Sequence, residues 1–256
     1  MKVLLLAGGL GTRLAELTHS IPKPMAEIGG IPIIHHIMSY YALFGHNEFV
    51  VALGYKGSVV KDYFLNLYNR NSDFTINLSN GLVDYHSVLS NNWKVTLVDT
   101  GLETMTGGRI KALSKYFNRT FFLTYGDGLS NVDLDKLLEF HYLKEAMITL
   151  TSVNPTSRYG RLNINSDSMV DTFDEKPKFG SDWINGGFMV AEPQIFSMIE
   201  DSSTIFEHEP LSRVASMGKL AAFKHYGFWQ CMDTLRDKNL LDGILSKGNP
   251  PWLVRD

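Results

Sequence analysis

The chain has 256 residues, 44% hydrophobic and 20% charged, with a formal net charge of -3; this suffices for one well-filled α/β core and lacks the basic excess of a general nucleic-acid binder. Its single cysteine, Cys231, excludes an intramolecular disulfide and a cysteine-built zinc site. The opening MKVLLLA breaks at Gly8, too early for a signal peptide, and no apolar run approaches the roughly 18–20 residues of a membrane span, so a cytoplasmic protein is expected.

KVLLLA (2–7) is a continuous apolar run ending in glycines, the pattern of a strand buried on both faces. PIIHHIMSYYALFG (32–45) sets Ile33, Ile34, Ile37, Met38 and Tyr41 on one helical face, with Pro32 at the first turn and Gly45 as the stop. NEFVVALG (47–54) reads as the next strand and GSVVKDYFLNLYN (57–69) as the next helix. This alternation predicts a doubly wound, Rossmann-like, mostly parallel sheet with right-handed crossovers. Residues 70–95 break the rhythm: they are polar, and Asn80-Gly81 is a hairpin-turn signal, so they are expected as an insertion of short strands or a long loop. The insertion, with Tyr85 and Trp93, is a candidate contact surface.

The α/β pattern resumes with a strand at 93–100, a helix at 108–117, a strand at 120–127, a helix at 133–145 and a strand at 146–153. From about 155 the chain turns strand-rich, at 159–164, 169–176 and 183–191. Helices near 193–200, 207–217 and 234–246 close it. The expectation is one domain, 1–256, with a first part to residue 150 and a mixed-sheet second part over 151–256.

The stretch LLAGGLGTRLAELTHSIPKPM (5–25) carries the first chemical signal. It is no Walker A loop, lacking G-x-x-x-x-G-K-[ST], and no dinucleotide fingerprint, since Leu14 stands where the third glycine belongs. Consecutive glycines nevertheless let backbone N–H groups approach an anion. The loop follows a strand at the carboxyl edge of the sheet, where open α/β sheets bind ligands, and Arg13 offers a fork of donors for phosphate. Read alone, the segment is equally a tight turn with a surface arginine.

Other segments carry paired readings. Asp127 in LTYGDG sits past an apolar strand, placed either to hold a divalent cation or to cap a turn. Asp233 in FWQCMDTLRD reads, on its residues alone, as an N-cap of the last helix. DTGLETMTGGR (99–109) is placed to read a base edge, with Arg109 near a triphosphate or ribose; the alternative is a helix-entry loop capped by Thr106. Glu175 and Lys176 in FDEKP read as a charged strand end, and Gly186-Gly187 as a strand bulge. Adjacent His35 and His36 do not share a helix face for a metal, and Glu207-His208-Glu209 reads as an exposed charged turn.

The whole pattern L-A-G-G-x-G-T-R-L followed by P-K-P-M resembles the signature of the sugar nucleotidyltransferases, also called sugar-phosphate pyrophosphorylases, and the resemblance spans essentially the full chain. It implies a nucleoside triphosphate held by Leu6, Ala7, Gly8, Gly9, Leu10, Gly11, Thr12, Arg13, Lys23, Thr104, Gly108, Arg109 and Gly126. It implies Mg2+ on Asp127 and Asp233, and a sugar phosphate on Gly160, Glu175, Lys176, Asn185 and Gly187. Arg13, Lys23 and Lys176 are the implied catalytic cations.

VDTG…MTGGR, TYGDG, INGGF, FWQCMDTLRDK and the PPW tail resemble the subgroup that joins CTP to glucose 1-phosphate. In the opening loop Glu16 stands in the region of the proline usual elsewhere in the family. The resemblance also implies a homo-oligomer, hexameric in that subgroup, and a product used in bacterial surface polysaccharide (lipopolysaccharide O-antigen) synthesis. A thymidylyl- or uridylyltransferase, and a non-catalytic relative that senses sugar nucleotides, remain open alternatives.

Overall fold

The computed structural model describes residues 1–11, 19–88, 92–155, 161–174 and 182–255. The chain opens with β1 (Lys2–Leu6), a small hairpin of β2 (Glu27–Ile28) and β3 (Ile31–Pro32), helix α1 (Ile33–Leu43), β4 (Glu48–Leu53) and α2 (Gly57–Arg70). An antiparallel hairpin, β5 (Ser72–Asn77) and β6 (Leu82–Val88), precedes β7 (Lys94–Asp99), α3 (Thr106–Ala112), β8 (Phe121–Tyr125), β9 (Gly128–Ser130) and α4 (Leu134–Leu143). Then come β10 (Ile148–Val153), a second hairpin of β11 (Arg161–Ile164) and β12 (Val170–Asp174), β13 (Ile184–Ala191), α5 (Glu209–Ser216), β14 (Leu220–His225), β15 (Trp229–Cys231) and α6 (Leu235–Leu245).

Among the described residues, seven strands form one sheet in the order β14-β10-β13-β8-β1-β4-β7. β8, β1, β4 and β7 run parallel, as do β10 and β14, while β13 runs antiparallel to both its neighbours. The mostly parallel mixed sheet expected from the sequence is the sheet that forms. Both faces are covered, which is why its strands are apolar at successive positions. Val3 and Leu5 of β1, Phe49 and Val51 of β4 and Phe122 of β8 pack under α1, α2 and α4. The intervening Leu4, Val50, Ala52, Phe121 and Leu123 pack with α3 and α5 on the opposite face.

Three local expectations are revised. The helix read at 108–117 starts earlier, at Thr106, and gives way after Ala112 to a 3-10 turn at Ser114–Tyr116. Residues 193–200 form a 3-10 helix, Pro193–Met198, rather than an α-helix. The inserted hairpin does turn at Asn80-Gly81, with Gly81 at φ 75°, but Trp93 is partly buried. Its indole packs inward on His35 and Phe49, at ring distances of 4.7 and 5.7 Å. Tyr85 stays on the hairpin against Tyr68 and Phe74.

Two connections position the site. Short β9 leaves β8 and pairs antiparallel with β15, setting Gly128 opposite Cys231, and the Met232 N–H donates to the Asp127 carbonyl at 2.9 Å. This tie brings the segment before α6 to the carboxyl end of β8. The Lys23–Met25 turn, with Lys23 and Pro24 buried, lies against the same strand end: a Cβ on Gly126 would stand 3.1 Å from Pro24 Cγ and 2.9 Å from the Leu6 carbonyl.

Candidate active site

A cavity of about 440 Å3 opens at the carboxyl ends of β1 and β8. Its floor is the glycine loop, residues 6–11; one wall is the 102–106 segment with Arg109, and the other is Tyr125, Gly126, Asp127, Lys23 and Pro24. Of the residues expected at the nucleotide, Leu6, Ala7, Gly8, Gly9, Leu10, Gly11, Lys23, Thr104, Arg109 and Gly126 all line it. Thr12, Arg13, Gly160, Glu175 and Lys176 lie outside the described residues.

Gly108 is the exception and corrects the expectation. Its N–H donates to the Thr204 carbonyl at 3.3 Å, and a Cβ would stand 2.5 Å from Ser202 Cα. Gly107 is in the same situation against the Thr204 carbonyl, 2.7 Å from where its Cβ would be. This glycine pair lets α3 pack directly on the 202–204 backbone instead of presenting N–H groups to a ligand.

Lys23, Asp127 and Asp233 converge although they come from three distant parts of the chain. Lys23 Nζ donates to Asp127 Oδ2 at 2.6 Å and to Asp233 Oδ1 at 2.6 Å. Burial works against charge on this amine, but Asp127, the neighbouring Cys231 and the hydrogen bonds to both carboxylates more than offset it and raise its pKa. The site thus keeps an ammonium between two carboxylates.

Asp233 is not the helix cap. Thr234 caps α6 in a reciprocal box with Asp237, and the N–H groups of Asp233 and Thr234 both donate to Asp237 Oδ2, at 3.1 and 2.9 Å. The buried Asp237 was not singled out in the sequence, though Thr234 three residues before it is a capping-box signature. The cap fixes the backbone at residue 233 and leaves the Asp233 side chain to the site.

The donor set bears on a divalent cation. One ligand atom each of Asp127, Cys231 and Asp233 lie within 4.8 Å of one another. A positive charge is already accommodated between the two carboxylates, by Lys23. Hard carboxylate oxygens suit Mg2+, which keeps much of its water shell and needs only one or two protein carboxylates; the thiol does not suit it. Asp127 and Asp233 fit such an ion.

Arg109 lines the cavity but is tied to the chain itself. Nη1 donates to the Leu53 carbonyl at 3.0 Å, Thr100 Oγ1 at 2.7 Å and the Gly101 carbonyl at 2.8 Å, and Nη2 to the Leu102 carbonyl at 3.1 Å. The guanidinium therefore anchors the 100–102 wall to the end of β4. It also lies under Gly8, where a Cβ would overlap its Nε at 2.8 Å. Thr104 secures the same wall through its hydroxyl, which donates to the Thr100 carbonyl at 2.6 Å.

The exposed charged turn read at 207–209 holds for His208 and Glu209 but not for Glu207. Glu207 is half-buried, and its carboxylate accepts from the Tyr125 phenol at 2.6 Å and from the Thr106 hydroxyl at 2.6 Å. Thr106 is accordingly no cap of α3, whose entry residue is Met105. Asn185 reaches the same group, its Nδ2 donating to the Tyr125 oxygen at 3.3 Å while its Oδ1 accepts from the Gly187 N–H at 3.0 Å. Asn185 and Gly187 thus sit directly behind the Tyr125 wall. His35 and His36 serve the framework: His35 meets the Tyr63 hydroxyl, and His36 lies between the Ile28 carbonyl and the Trp252 indole.

Comparison with known proteins extends over nearly the whole chain. The model of the nucleotidyl transferase family matches residues 2–233. The glucose-1-phosphate cytidylyltransferase of Salmonella typhimurium is 46% identical over 254 residues, covering 98% of each chain. The probable glucose-1-phosphate cytidylyltransferase of Bacillus subtilis is 42% identical, covering 99% of this chain and 100% of the relative. Among solved structures, HddC from Yersinia pseudotuberculosis complexed with GMP-PN is 26% identical, with a TM-score of 0.68 over 94% of this chain and 98% of that one.

Proposed function

The chain belongs to the nucleotidyl transferase family, and from that premise we propose that it is a glucose-1-phosphate cytidylyltransferase, joining CTP and glucose 1-phosphate into CDP-glucose and pyrophosphate. The observation that carries the substrate choice is the 46% identity, end to end, with a protein of that name. The glycine-floored cavity with its lysine and paired carboxylates supports the chemistry.

In this reading a sugar phosphate oxygen attacks the α-phosphorus of CTP in line, and the bond to the β-phosphate oxygen breaks to release pyrophosphate. The nucleophile is already an anion and needs no general base. The obstacle is electrostatic: two unit charges 4 Å apart repel by about 4 kcal/mol at an effective dielectric near 20. Gly8, Gly9 and Gly11 present backbone N–H groups to the leaving phosphates, with Arg13. Lys23 takes the α-phosphate or the incoming phosphate, and Lys176 the sugar phosphate. Asp127 and Asp233 would hold Mg2+, which would supply further neutralisation and orientation of phosphate oxygens. Thr104, Gly126 and Arg109 shape the nucleotide side, and Asn185, Gly187, Glu175 and Gly160 the sugar side. Positioning and electrostatics then carry the rate.

The proposal extends to one domain, 1–256, a cytoplasmic setting, a role in bacterial surface polysaccharide synthesis and a homo-oligomer, hexameric by its likeness to the cytidylyltransferases. Exposed Leu78 and Leu82 on the β5–β6 hairpin support a contact there, and among the described residues no helix is long and apolar enough to cross a membrane.

The test is pyrophosphate release from glucose 1-phosphate, Mg2+ and each of CTP, UTP, dTTP, ATP and GTP in turn, with EDTA controls. Metal-dependent release far higher with CTP supports the reading. Preference for UTP or dTTP keeps the mechanism and changes the base. Binding of CTP without release from any sugar phosphate favours a sensing role.

A further inference from the structure

The two walls of the cavity are built by different parts of the chain, yet one carboxylate holds both. Thr106 begins α3 and ends the 102–106 wall; Tyr125 ends β8 on the opposite wall. Each gives its hydroxyl proton to a separate oxygen of Glu207, at 2.6 Å in both cases. Neither hydroxyl is free to turn elsewhere. The Thr106 oxygen also accepts the Phe206 N–H at 2.9 Å, and the Tyr125 oxygen accepts from Asn185.

The Tyr125 ring is itself fixed against β13, where a Cβ on Gly187, at φ 93°, would stand 3.0 Å from its Cδ2. Burial first, and then the adjacent Glu207 charge, push the phenol pKa upward, so it remains a donor throughout the physiological range. A planar carboxylate with two short bonds fixes the distance between its donors more tightly than van der Waals contact does.

We propose that Glu207 is a positioning residue that sets the separation between the nucleotide wall at Thr106 and the sugar-side wall at Tyr125 and Asn185, and so aligns the two substrates. This rests on the reading of the cavity as a cytidylyltransferase site. Glu207 itself touches no reacting atom in this assignment; it acts through the groups it holds. Because misplacement of about 1 Å costs on the order of 10²-fold in rate, losing the clamp affects alignment more than the binding of either substrate alone.

The experiment compares wild type, Glu207→Ala and Glu207→Gln by steady-state kinetics with CTP and glucose 1-phosphate, and by calorimetric titration with CTP and with CDP-glucose. CDP-glucose spans both walls and needs no turnover. Glu207→Ala is expected to lower kcat by about 10–10²-fold and to weaken CDP-glucose much more than CTP. Glu207→Gln keeps one acceptor and is expected to recover most of the loss, serving also where the alanine variant does not fold. Folded variants with kcat and CDP-glucose affinity within twofold of wild type overturn the proposal. So does equal weakening of CTP and CDP-glucose, the mark of a merely structural role. A wild type that turns over no substrate, yet shows the selective loss of CDP-glucose affinity in Glu207→Ala, defeats the transferase reading and leaves the clamp standing. A wild type that binds neither nucleotide defeats both.

Discussion

Lys23 Nζ stands 2.6 Å from Asp127 Oδ2. With Asp233 at the same distance on its other side, the pair makes a site in which one protein cation holds two carboxylates together. The proposed metal and the lysine therefore compete for the same oxygens. Phosphates entering the cavity give the ammonium an alternative partner.

Removing that cation is expected to have two effects. Lys23→Met should lose about 10²–10³ in turnover, as deletion of one transition-state donor does. In EDTA it should also lose about 1–3 kcal/mol of stability, because two half-buried carboxylates lose the ammonium that donates to both. Mg2+ should restore more of the melting temperature in the variant than in wild type. Thermal melts with EDTA and with Mg2+ check this, and equal Mg2+ responses would separate Lys23 from the cation position.

The glycine loop divides into a packing position and an open one. A Cβ on Gly8 would overlap the Arg109 guanidinium, while nothing lies within 4 Å of a Cβ on Gly9. Gly8→Ala should cost about 1–3 kcal/mol through overpacking. Gly9→Ala should leave stability within about 0.5 kcal/mol and raise the KM for CTP severalfold, if a phosphate approaches its backbone. A Gly9→Ala enzyme with unchanged stability and unchanged KM would remove Gly9 from the binding loop.

Asp237 supports Asp233 through the α6 cap. Asp237→Ala should lower stability by about 1–2 kcal/mol, the upper range for losing a cap. It should also reduce turnover several-fold, since the backbone before the helix loses the acceptor that holds it. Denaturant titration and kinetics on the same preparation check both effects. An Asp237→Ala protein of lowered stability but full activity at low temperature would show that the cap does not position Asp233.

Acid should destabilise the fold through its histidines. Burial draws His35 and His46 from 6.5 down to about 4, and lowers His36, His141 and His225 as well. Between those values the unfolded chain binds more protons than the folded one. The stabilisation is then complete above about pH 6.5 and is lost as pH falls toward 4. The melting temperature should be level near neutrality and fall steadily between pH 6.5 and 4.5. An imidazole NMR titration showing His35 near its ordinary value would contradict the cause.

Much of the architecture was legible in the sequence. The apolar run at 2–7 read as a buried strand, 47–54 as the strand after it, and the 3.6-residue pattern of 32–45 as a helix between them. Asn80-Gly81 marked its hairpin, and three glycines behind a strand left an anion loop and a tight turn equally open. These signals are short-range: alternation, period and the sterics of one residue act within a few positions of themselves.

What escaped the sequence depends on where distant backbone segments meet. Asp233 looked like a cap until Thr234 and Asp237 were seen to supply it. Glu207 looked solvated until the fold carried residues 205–207 against Thr106 and Tyr125. Arg109 and Gly108 sit in one motif, yet the first turns to carbonyls on the cavity wall and the second to the backbone at Ser202. Residue type and spacing offered a glycine loop and Asp127 to phosphate chemistry, and the resemblance to the sugar nucleotidyltransferases added Lys23 and Asp233. Only the β9–β15 pairing, whose register no local pattern encodes, brought the two aspartates onto one lysine, because hydrogen-bond partners across long separations are chosen by the packed chain as a whole.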